Sequence, residues 1–155
     1  MYAVFAIGRV ALVAIFIISG IGKFVDISAT ADAIQSRLTI PNELGDIVSQ
    51  IEAATSMSIW QILAIAVASI EVISGLLIAF NVLTRTAAVV LIIFTLVSTF
   101  YFHDFWNVAS AAERTNQMNH ALKNLSIMGA LLMLVALRRR RELADETSGA
   151  RLEPL

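Results

Sequence analysis

Between residues 59 and 80 the chain reads IWQILAIAVASIEVISGLLIAF, an apolar run with one acidic side chain, Glu71, near its middle. Coiled as a helix at about 1.5 Å per residue, such a run crosses a hydrocarbon core of about 30 Å. A carboxylate halfway along it loses its water. It is tolerated there only if protonated, paired with a cation, or turned into a polar cavity between helices. What the other segments offer Glu71 therefore constrains the whole fold.

Three further runs have the same character: residues 2–22, interrupted by Arg9; residues 86–102; and the stretch from Asn119, NHALKNLSIMGALLMLVAL, which ends at four arginines, 138–141. With 58% hydrophobic and 15% charged residues and a mean hydropathy of +0.80, the chain is too apolar for an ordinary soluble domain. A soluble bundle would have to bury four such runs without lipid. The expected fold is all-α: an integral membrane four-helix bundle of antiparallel helices in the cell membrane. Residues 1–141 form its transmembrane domain and residues 142–155 a polar tail. The N-terminus has no basic leader and no evident small-residue cleavage site, so it reads as a first span rather than a removed signal.

Residues 26–58 form a polar connection, with Asp32, Arg37, Glu43, Asp46 and Glu52 set among Ile34, Leu38, Leu44, Ile47 and Ile51. Intervals of three and four predict short amphipathic helices, interrupted at Pro41, which lacks an amide donor and restricts Ile40. Basic residues beside the short connections set the orientation. Arg85 and the arginines at 138–141 share a side with the N-terminus, which places both termini in the cytoplasm and the amphipathic helices in the first external connection.

Two constellations are candidates for chemistry. Arg9 lies roughly 10 Å inside the first helix from its cytoplasmic start, and Glu71 roughly 15 Å from the cytoplasmic end of the second. A long guanidinium covers that difference, so Arg9 and Glu71 are the expected buried charge pair, with snorkelling to the headgroups as the plainer reading of Arg9 and of Lys23. The second constellation lies at the outer end, where His103 closes the third helix, His120 opens the fourth, and Lys123 and Asn124 follow one turn later. Phe105 and Trp106 crowd the same end. A quinone headgroup needs that combination: His103, His120 and Lys123 as proton donors and catalytic groups, with Phe105, Trp106 and Asn124 holding the ring and its carbonyl oxygens. Interface anchoring accounts for the aromatics equally well, and helix-end capping for the histidines.

Other chemistries have little support. His103, Asp104, Glu113 and His120 do not follow a known ligand spacing, so no metal site is expected. The absence of cysteine removes thiolate nucleophiles and thiol relays. A net charge of -1 argues against nucleic-acid binding. There is no haem-attachment, dinucleotide, P-loop or HExxH motif, so no intrinsic cofactor is expected and any electron carrier would sit on a partner.

The segments GRVALVAIFIISGIGKF, IEVISGLLIAFNVLTRTAAVVL, FYFHDFW and NQMNHALKNLSIMGALLML together resemble the DoxX family of small bacterial and archaeal membrane proteins. The likeness covers nearly all of residues 4–137, and Arg9, Lys23, Glu71, His103, His120, Lys123 and Asn124 match the family pattern. It implies a four-helix membrane protein. Some relatives are linked to thiosulfate and quinone chemistry, others to oxidative-stress complexes. On that basis the leading expectation is a membrane component of an oxidoreductase assembly, contacting quinone and relaying protons beside a redox protein partner. A non-catalytic scaffold and a small-solute permeation protein are the alternatives, and a homo-oligomer is left open.

Overall fold

The computed structural model describes the backbone of residues 2–150 and the side chains of residues 3–137. The described chain is all helical, in the order α1 (Tyr2–Val25), α2 (Ile27–Gln35), α3 (Gly45–Thr55), α4 (Ile59–Ala79), α5 (Thr84–Phe102) and α6 (Ala111–Ala150), with 3₁₀ turns at Asn42–Leu44 and Phe105–Asn107. Four stretches are long and apolar enough to cross a membrane: Ala3–Val25, Ile59–Ala79, Thr84–Asn107 and Ala111–Leu137. Val4, Ile18, Val25, Ile73, Phe100 and Met133 each leave more than half of their surface uncovered. Water would not tolerate so much apolar surface, whereas lipid matches it.

The chain forms two compact units, Val13–Leu76 and the remainder. In the unit Val13–Leu76, α1 and α4 approach at glycines. A Cβ on Gly20 would lie 2.7 Å from Val72 Cγ2 and 2.9 Å from the carbonyl oxygen of Ala68, and one on Gly75 would lie 2.7 Å from Ile17 Cγ1. Contact this close between backbones needs a residue without a side chain. The expected short helices of the first connection are α2 and α3. Asp26 caps α2 by accepting from the Ala29 amide at 2.9 Å, and Pro41 precedes the 3₁₀ turn between the two helices. Helix α3 stops at Ser56, whose φ of 56° is left-handed. Two residues later Ser58 and Gln61 form a reciprocal capping box, with Ser58 N donating to Gln61 Oε1 at 3.1 Å and Gln61 N donating to Ser58 Oγ at 3.2 Å. This closes the start of α4. Glu52 of α3 adds a further acceptor, its Oε1 lying 2.8 Å from the Ile59 amide.

In the other unit, α4 ends in a tight turn. Asn81 and Leu83 both take positive φ, 61° and 45°, and Val82 N returns to Leu77 O at 2.8 Å, the wrap that satisfies a helix C-terminus. Small residues on α5, Ala87 and Ala88, are buried beside Leu91, and Leu131 and Leu134 are buried on α6. Helix α6 begins at Ala111, ahead of Asn119, where the fourth apolar stretch of the sequence starts. Glu113 stands in its first turn, where a carboxylate is favoured, and Arg114 folds back to donate to Val108 O from Nε at 3.0 Å and from Nη2 at 2.9 Å. The helix also continues past residue 141 to Ala150, with no proline to stop it before Pro154. Residues 151–155, the end of the expected tail, lie outside the described residues.

Candidate functional site

Each unit holds one polar constellation. In the unit Val13–Leu76, Glu71 is buried, with 4% of its surface exposed, and its partner is Lys23. Lys23 Nζ lies 2.6 Å from Glu71 Oε2 and 2.6 Å from Ser19 Oγ, while Ser19 Oγ donates to Glu71 Oε1 at 3.2 Å. The triangle follows from local geometry. Ser19 and Lys23 are one helical turn apart on α1 and so share a face, and Gly20 between them lets α4 come close enough for the carboxylate to reach both.

This corrects the expected pairing of Arg9 with Glu71. Arg9 Nη2 donates instead to Ala79 O at 3.2 Å, one of the carbonyls left without a partner where α4 ends. Its guanidinium lies 5.9 Å from the centre of the Phe5 ring, and its Nε is buried without a hydrogen bond. The depth comparison put Arg9 within reach of Glu71. It failed because it gave the helix terminus no claim on the cation, and because Lys23 was read as snorkelling when the i, i+4 serine signalled an inward face.

The second constellation lies where α5 gives way to α6. His103 and His120 stack, with ring centres 5.0 Å apart and planes 11° from parallel. His103 Nδ1 lies 2.9 Å from Gln117 Oε1, and Gln117 Nε2 donates to Glu113 Oε1 at 2.6 Å. Because the amide nitrogen is held by Glu113, the amide oxygen is left to accept, and His103 carries its proton on Nδ1. The other ring is arranged oppositely. Lys123 Nζ lies 3.2 Å from His120 Nδ1. An ammonium can only donate, so Nδ1 accepts and the proton of the neutral ring sits on Nε2.

The remaining expected residues of this end divide. Asn124 Nδ2 donates to Thr99 Oγ1 at 2.9 Å, and Thr99 Oγ1 donates to Thr95 O at 2.6 Å, so Asn124 ties α6 to α5. Phe105 and Trp106 pack edge to face at 5.1 Å, and Trp106 lies 5.7 Å from Phe100. The aromatic rings therefore contact one another, and the histidine rings stack together. Among the described residues no group of three or more His, Asp or Glu side chains converges to hold a metal ion. Sequence reasoning missed Gln117 and weighed Glu113 only as a metal ligand, although their i, i+4 spacing on the first turns of α6 marks a shared face.

Four long apolar helices with uncovered apolar flanks define a multi-pass integral membrane protein. The DoxX family model matches residues 4–104. The inner membrane protein YphA of Escherichia coli (strain K12) is 30% identical over 128 residues, covering 83% of this chain and 78% of that protein. The chain therefore belongs to the DoxX family. The matched residues end at Asp104, before the fourth-helix segment NQMNHALKNLSIMGALLML. No solved structure matches the chain.

Proposed function

We propose that this protein is the membrane component of an oxidoreductase assembly and that it holds a quinone headgroup at the junction of α5 and α6. The observation that carries the reading is the parallel stack of His103 on His120 with Lys123 at its side. It sets protonated and unprotonated ring nitrogens and a cation close together at the end of two apolar helices. A quinone headgroup supplies an acceptor of two electrons and two protons. His120 and Lys123 donate toward its oxygens, His103 receives a proton in the reverse direction, and the free oxygen of Asn124 accepts from a hydroxyl. Phe105, which is half-buried, lines the apolar side, while the exposed Trp106 anchors the helix end in the interface. Electrons come from a redox protein partner that carries the electron-transfer group.

In this reading the four spans form an antiparallel bundle. Both termini and Arg85 face the cytoplasm, and α2 and α3 lie over the outer end. The test is titration of a short-tail quinone into purified protein, with His120→Ala and Lys123→Ala compared after each is shown to retain its helical content. Saturable binding in the parent, weakened on the order of tenfold in each variant by loss of one charged or neutral donor, is the expected outcome. Undiminished affinity in both folded variants sinks the placement. No saturable binding in the parent moves the assignment to a scaffold.

A further inference from the structure

From the hydrogen bonds around the stacked histidines, we infer that the pair is polarised, with a proton-giving ring and a proton-receiving ring, and that protons enter by way of Lys123. This rests on the quinone reading for its ligand but not for its test. His120 accepts at Nδ1 from Lys123 and so carries its proton on Nε2. His103 donates a hydrogen bond from Nδ1–H to Gln117 Oε1 and so presents a lone pair on Nε2. Among the described residues neither Nε2 has a hydrogen-bond partner.

The two rings then have different capacities. When the Nε2 proton of His120 moves to a ligand oxygen, the ring can be refilled at Nδ1 by the Lys123 ammonium. The bond between Nε2 and its proton breaks, a lysine Nζ–H bond breaks as that proton bonds to Nδ1, and the ring ends neutral with its proton on Nδ1, leaving Lys123 as a neutral amine. Lys123 is exposed, and in this reading water at the interface beside the outer end of the helices returns its proton. His103 cannot be refilled in this way, because the group at its Nδ1 is an amide oxygen, which holds a proton in place but does not supply one. It can only accept at Nε2, and the resulting imidazolium is held by Gln117, itself fixed by the Glu113 carboxylate.

Gln117 is thus a positioning residue, and Lys123 is the proton source of the pair. The ligand class that matches them presents one oxygen that accepts and one hydroxyl that donates, as a dioxygenated ring does when it is half-protonated. A fully apolar ligand, or one with acceptors only, leaves His103 unmatched.

The test reads the two tautomers directly. Protein labelled with ¹⁵N-histidine, in micelles at about pH 8, is expected to give one ring protonated on Nδ1 and the other on Nε2. Lys123→Met is expected to turn the Nε2-protonated ring into a mixture of tautomers and leave the other unchanged. Gln117→Leu does the same to the Nδ1-protonated ring. Lys123→Arg is expected to restore the parent spectrum, since arginine still donates to Nδ1, and it guards against reading a folding defect as a lost contact. Two rings of the same tautomer in the parent, or an unchanged spectrum in Lys123→Met, overturns the inference. Short-tail quinone added to the same sample tests the ligand separately: tautomers as expected with no saturable shift leave the polarised pair standing and remove the quinone.

Discussion

Removing one member of the Lys23–Glu71 pair has unequal consequences, because the two side chains differ in their access to solvent. Lys23 keeps 28% of its side-chain surface and Glu71 only 6%. Deleting one partner of a buried pair commonly costs about 3–5 kcal/mol, most of it from the charge left behind. Lys23→Met strands the carboxylate, whose remaining donor is Ser19, so about 3–4 kcal/mol is expected. Glu71→Gln strands an ammonium that still has Ser19 and an outlet, and solvent screening lowers the expected loss to about 1–2 kcal/mol. The double variant leaves no charge, and its loss should return to about 1 kcal/mol. Additive behaviour would give about 4–6 kcal/mol, so the coupling is about 3 kcal/mol or more. The assay is reversible unfolding of micelle-embedded protein by a denaturing detergent, followed by the fluorescence of Trp60, which lies in the first turn of α4. A double variant as unstable as the sum of the singles would falsify the pairing, and a neutral Lys23→Met would show the carboxylate to be hydrated.

Gly20→Ala should lose about 1–3 kcal/mol by overpacking, since its Cβ meets the Ala68 carbonyl oxygen at 2.9 Å and α1 and α4 must separate; Gly8→Ala, with nothing within 4 Å, should be neutral in the same unfolding assay. The proposed orientation is checked by single-cysteine labelling, straightforward in a chain with no cysteine: positions 43 and 85 should react from opposite sides, and labelling from the same side refutes the arrangement.

The spans were legible in the sequence because length and hydrophobicity suffice to define them, and the boundaries at Ile59 and Phe102 fell where the apolar runs change. The importance of Glu71 was legible too, since a lone carboxylate in such a run requires a partner. Which partner was not. Depth along a helix can be counted from residue numbers, but rotation about its axis depends on where the helices touch, and that contact is set by Gly20. Arg9 was drawn away by a backbone carbonyl, a group every residue carries and no sequence pattern marks. The histidines illustrate the same limit. His120 and Asn124 share an i, i+4 face, yet Lys123, at i+3, is the side chain that meets His120, while Asn124 reaches Thr99 on the preceding helix.

Helix α4 has an anionic side chain at its first amide and a cationic one at its last carbonyl, Glu52 on Ile59 N and Arg9 on Ala79 O. A helix this long carries about half a positive charge at its start and about half a negative charge at its end, and a span ordinarily leaves those poles to headgroups and counterions. Here the chain supplies both counter-charges from its own neighbouring helices. The segment that carries the buried carboxylate is therefore electrically closed along its axis. Its two poles lean less on the charge of the surrounding headgroups than those of a span whose ends meet only lipid and water.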